Sequence, residues 1–175
     1  MDQKIKKKLE EIVRVNHAGE LGAQDIYNSQ IKFCKDDKLK KELVKISQEE
    51  KVHYDYFESL LLKKRVRPTL MSPAWKVGSF FLGAITSRLG SNYVYACTEA
   101  VEEVIVEHYQ EQIKYLDKNK IEENLKNKIK KFCKEEDKHR TNADKSIKEE
   151  DLSLKLFKGF TKGVTKMAIE ISKKL

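Results

Sequence analysis

An all-α fold of the four-helix-bundle kind follows from three features of this 175-residue chain. Only two prolines and seven glycines punctuate it, too few turn formers for a sheet of many strands. Leu, Ile, Lys and Glu dominate, which favours long helices. Apolar residues also recur at three- and four-residue steps through four long stretches. The length suits a single domain, 1–175, with one core.

The first stretch, residues 3–34, puts Val13, Glu20, Tyr27 and Ile31 on one helical face. The second, 37–63, carries a stripe of Leu39, Leu43, Ile46, Glu50, His53, Phe57 and Leu60, in which two polar residues interrupt an apolar seam. Arg67-Pro68 and Ser72-Pro73 then break the chain, because a residue before proline is pushed out of the α region. A long crossover follows from Trp75 to Leu89, with an apolar run of about a dozen positions, short of the ~20 that span a bilayer. Gly90-Ser91-Asn92 closes it and supplies caps for the next helix. The third stretch, 91–117, aligns Tyr95, Glu102, Val106, Tyr109 and Ile113. The fourth, 121–149, aligns Leu125, Ile129, Phe132, Glu136, His139 and Ala143. A last amphipathic helix, about 152–174, has Phe157, Phe160, Val164, Met167, Ile171 and Leu175 on one side and lysines on the other.

The inward polar residues therefore read Glu, Glu-x-x-His, Glu, Glu-x-x-His along the chain, as a repeated helix pair would give. Four carboxylates in a dry bundle repel one another, and each unpaired ion costs several kcal/mol. Two divalent cations balance the four glutamates, and two neutral imidazoles complete their shells. One Glu-x-x-His arises easily by chance. Two, each in an apolar stripe and each matched by a further inward glutamate, do not. This is the ligand order of ferritin-like di-iron and di-manganese bundles. The six candidate catalytic and metal-binding residues are Glu20, Glu50, His53, Glu102, Glu136 and His139. His17 and His108 fit capping, surface or supporting roles better than ligation, while Tyr27, Tyr95, Tyr109 and Cys133 read as core.

The net charge of +8 fits nucleic acid, anionic lipid or an acidic partner equally well. A nucleic-acid module would leave the buried Glu and His unexplained, since such binding needs surface cations, so no nucleic-acid partner is expected. Cys34, Cys97 and Cys133 are odd in number and far apart, which favours a reducing compartment over a disulfide framework. Residues 1–9 lack the apolar run of a secretory signal, and the chain is expected to be mature as written.

Arg14-Val15-Asn16-His17-Ala18-Gly19-Glu20, followed by Gly22-Ala23, resembles the opening motif of the demethoxyubiquinone hydroxylases, di-iron monooxygenases of ubiquinone biosynthesis. Glu50-Lys51-x-His53, Arg65-Val66-Arg67-Pro68-Thr69, Ala96-Cys97-Thr98, Ala100-Val101-Glu102-Glu103, His108-Tyr109 and Glu136-x-x-His139 are similar to that family in the same order, from about residue 10 to the C-terminus. The resemblance implies two iron ions per chain rather than manganese, held by the same six residues with Glu50 and Glu136 bridging. It implies a demethoxyubiquinol substrate with a polyprenyl tail, ring hydroxylation by dioxygen, and electrons from NADH or a separate reductase. A lipid-delivery partner protein and a homo-oligomer are further expectations of the resemblance.

The crossover and last helix, with Lys63, Lys64, Arg65 and Arg67 nearby, are expected to lie peripherally at a membrane surface. That surface is the cytoplasmic face of a bacterial inner membrane, or the matrix side of a mitochondrial one. The family more often has an apolar residue at Glu99, so a further carboxylate is expected near the site. The alternative is a ferritin-like iron-storage or peroxide-detoxifying protein, which shares the ligand order.

Overall fold

The computed structural model describes residues 2–174. They form six α-helices: α1 (Gln3–Phe33), α2 (Asp37–Lys64), α3 (Ser72–Leu89), α4 (Ser91–Asn119), α5 (Glu123–Ser146) and α6 (Leu152–Lys174). No strand occurs among the described residues. The helices fall into two compact units, one of Met1–Ser91 with Met167–Leu175 and one of Asn92–Lys166.

In the first unit α1 packs against both α2 and α3. Asp2 caps α1 by accepting from the Lys4 backbone N–H at 2.9 Å, and Asp36 caps α2 through the Lys38 and Leu39 amides at 2.8 and 3.1 Å. Such caps satisfy amides that the helix itself leaves unpaired. The second helix stops where Arg65 takes a left-handed conformation, φ 53°. Val13, Leu61 and Val66 close a small apolar cluster behind that turn.

The crossover is itself a helix. Pro73 stands in the first turn of α3, where its fixed φ suits helix entry and its missing N–H costs nothing. The side of α3 that meets α1 is small and polar. Gly83 allows the closest approach, because a Cβ there would collide with the Ile26 carbonyl and stand 2.8 Å from the Ser29 Cβ. Around it Ser29 Oγ donates to the Phe80 carbonyl at 2.7 Å, Gln30 donates to Thr86 Oγ1 at 3.1 Å, and Ser87 Oγ donates to the Gln30 carbonyl at 3.0 Å. Val77, Phe81, Ile85 and Leu89 point outward at four-residue spacing. The C-terminal turns of α6 are fastened in this unit by Trp75, whose indole N–H donates to Ser172 Oγ at 3.0 Å, and by Arg14. The Arg14 guanidinium reaches the Lys173 carbonyl at 3.3 Å and the Arg67 carbonyl at 3.0 Å.

In the second unit the α5 stripe expected from periodicity is buried throughout, from Leu125 to Ala143. The turn into α5 uses left-handed Lys120 and Glu122, so the helix begins two residues later than residue 121. It ends at Ser146, and Asn92 holds the following segment through the Lys148 amide and the Glu149 carbonyl.

Helix α6 turns apolar residues outward. Leu152, Leu156, Phe160, Val164 and Met167 are exposed, whereas Leu154, Thr161, Ile169 and Ser172 are buried. Lysines take the other side. Lys158, Lys162 and Lys166 engage glutamates of α4, so ion pairs hold the N-terminal part of the helix. Leu175, assigned to the apolar side by its spacing, lies outside the described residues.

Candidate metal centre

In the first unit, periodicity alone brings Glu20 of α1 and Glu50 and His53 of α2 into one buried layer. Their relative exposures are 4%, 1% and 1%. His53 Nδ1 lies 3.8 Å from Glu20 Oε2 and 3.7 Å from Glu50 Oε2, and one donor atom from each residue falls within 4.8 Å of the others. Two carboxylates so close are stable in a dry layer when a cation or protons neutralise them. The donors suit a divalent cation bound by oxygen and one imidazole nitrogen.

In the second unit, Glu102 of α4 and Glu136 and His139 of α5 are equally buried, and His139 Nδ1 stands 3.2 Å from Glu136 Oε2. Burial, together with the charge of Glu102, pushes the Cys97 thiol up to about 12. Cys133 is a core cysteine 3.9 Å from the Val106 carbonyl, and its thiol too is pushed up by burial. Tyr27 and Tyr109 are buried, as expected of core aromatics.

Glu99, the carboxylate foreign to the pattern, is buried and pairs with Lys158 at 3.1 Å and Lys162 at 3.5 Å. Glu103 pairs with Lys162 at 2.8 Å and Glu107 with Lys166 at 3.0 Å. Burial raises the Glu103 carboxyl, but the hydrogen bond and charge of Lys162 outweigh it and hold the group below its usual range. Glutamates at 99, 103 and 107 facing lysines at 158, 162 and 166 share a four-residue period, a signal of helix pairing present in the sequence. His17 is buried and its Nε2 lies 2.6 Å from Glu58 Oε2, while His108 is half-buried.

An all-α chain that twice presents an inward glutamate beside a Glu-x-x-His pair is of the ferritin-like class. The model of one family in that class, described as ubiquinone biosynthesis protein COQ7, matches residues 7–172, and the chain belongs to this family. Among similar proteins is the NADPH-dependent 3-demethoxyubiquinone 3-hydroxylase, mitochondrial, of Dictyostelium discoideum, 40% identical over 139 residues that make up 78% of this chain and 64% of that protein. The human protein of the same description is 43% identical over 134 residues, 75% of this chain and 61% of the relative. The 3-demethoxyubiquinol 3-hydroxylase of Rhodospirillum rubrum is 34% identical over 169 residues, 95% of this chain and 78% of the relative. The chain thus spans somewhat under two thirds of the length of the Dictyostelium and human relatives.

Proposed function

We propose that this chain is a di-iron monooxygenase that adds a hydroxyl group to the ring of a polyprenylated demethoxyubiquinol, acting as one catalytic domain over 1–175. The observation that carries the reading is the buried Glu20, Glu50 and His53 layer together with its sequence counterpart, Glu102, Glu136 and His139. These six residues would hold two metal ions, and the donor set favours iron or manganese over thiolate-seeking zinc. Iron, when bound, supplies the activation of dioxygen that amino-acid side chains lack. The protein's part is to fix the carboxylates, to keep the imidazoles neutral so that they can ligate, and to exclude water from the buried layer.

Reduced nicotinamide is the electron source, NADPH being named in the description of several relatives. Membrane contact is peripheral. No helix among the described residues is long and apolar enough to cross a bilayer, while α3 and α6 expose apolar side chains at four-residue spacing. A surface of that kind suits an enzyme whose substrate tail resides in lipid. The bacterial cytoplasmic or mitochondrial matrix face is the proposed location, and a lipid-delivery protein and self-association are proposed by resemblance alone.

The test combines metal analysis of the purified protein with quinone profiling of a deletion strain. The reading expects two irons per chain, loss of metal in Glu136→Ala, and accumulated demethoxyubiquinone relieved by the wild type only. Relief by Glu136→Ala at the wild-type level would sink it. Anaerobic mixing with NADPH and then NADH, followed by iron spectroscopy, identifies the donor.

A further inference from the structure

We propose that His17 carries protons between solvent and the buried Glu20, Glu50 and His53 layer, with Glu58 as the outer port, an assignment that rests on the function proposed above. Hydroxylation by dioxygen with a reduced nicotinamide balances as RH + O2 + NADPH + H+ → ROH + H2O + NADP+. The nicotinamide hydride brings two electrons and one proton, and one more proton per turnover comes from solvent. A layer whose members are 1–4% exposed has no direct access to it.

His17 supplies a route. Its side chain is 6% exposed and its Nε2 lies 2.6 Å from an oxygen of Glu58, whose side chain is 40% exposed. The other ring nitrogen, Nδ1, is buried and has no hydrogen-bond partner. His17 stands three residues before Glu20 on α1, so the two side chains share a face with Cβ atoms roughly 5–6 Å apart. An imidazole in this position takes a proton at Nε2 from the Glu58 carboxyl and releases one from Nδ1 toward the layer, with tautomer exchange resetting the ring. Tyr54 completes the surroundings. Its ring lies 5.4 Å from that of His17, and its hydroxyl points at Glu58 from 3.5 Å.

His17→Gln retains an amide that can bond Glu58 but cannot accept one proton while releasing another. Glu58→Gln keeps the bond and removes the exchangeable carboxyl, at a half-exposed position that does not threaten folding. In the full chain loaded with diamagnetic zinc(II), the solvent exchange of the His53 ring N–H is read by nitrogen-15 NMR. Both variants are expected to slow it roughly tenfold or more, with added imidazole restoring the rate in His17→Gln. With iron and quinol, kcat is expected to fall by a similar factor at unchanged KM and unchanged metal content, with an enlarged solvent isotope effect.

Wild-type exchange rates in both variants would overturn the relay, as would a lowered melting temperature without slowed exchange, the mark of a purely structural pair. The zinc measurement needs no hydroxylation. A wild type that fails to hydroxylate quinol therefore refutes the proposed function separately from the relay.

Discussion

Glu99 shows how burial sets the worth of a charge. Its carboxylate is nearly inaccessible, and the side chains of its partners Lys158 and Lys162 are 14% and 27% exposed. Removing one member of a buried pair strands the others, at a cost of 3–5 kcal/mol in full burial. With lysines partly solvated, Glu99→Gln is expected to cost about 2 kcal/mol. Glu107 and Lys166, each more than half exposed, form a pair of the solvated type, and Glu107→Gln should change stability by less than about 1 kcal/mol. Thermal unfolding of the two variants side by side checks the difference, and equal losses would contradict it. The six inward Glu and His residues were legible in the sequence because a polar residue inside an apolar stripe needs only the helical period to be placed. The His17–Glu58 pair was not, since the two lie 41 residues apart and only the folded chain selects them.

The close seat of α3 and the ion-paired seat of α6 are properties of elements. Gly83 permits the close seat of α3 on α1, whereas nothing lies within 4 Å of a Cβ built on Gly78. Gly83→Ala should destabilise by about 2 kcal/mol through backbone displacement. By contrast, Gly78→Ala should stabilise by roughly 0.5–1 kcal/mol because a helix interior favours alanine. Urea unfolding measures both.

The seat of α6 depends on ionised carboxylates. Glu150 is held below its ordinary value of 4.5 first by its hydrogen bond from Lys158, and Glu103 is likewise depressed. A depressed carboxyl stabilises the fold above 4.5 and loses that contribution as pH falls through its lowered value. Hydrogen exchange of 152–166 should therefore rise below pH 4.5, ahead of α5, and acid-insensitive protection would refute the ionic seat. Helix positions were legible to within a few residues. The partners of the α6 lysines were less so, because the four-residue period shared with α4 allows several registers and the folded chain selects one.

For the molecule as a whole, the two buried Glu and His sets are the proposed metal ligands, so stability should follow the bound cation. Ferrous ion at a hundredfold over its dissociation constant should raise stability by about 2.7 kcal/mol. Calorimetry should show this shift, and Glu50→Gln should abolish or strongly reduce it. The all-α class and the family were legible because composition, period and motif agree from end to end, and the family model spans residues 7–172. The fastening of the last turns of α6 was not, since Arg14 and Trp75 lie 97 or more residues from the groups they meet there.

Those last turns also bear on biosynthesis. Arg14 meets Lys173, 159 positions downstream, and Trp75 meets Ser172. A nascent chain emerging from the ribosome can wind α1, α2 and α3 early, but it lacks these closing partners until residues 172 and 173 have emerged. The unit containing the N-terminus is thus finished only after α4 and α5 have been made, and a ribosome stalled shortly before Trp75's partner at Ser172 would leave α3 in want of its final fastening.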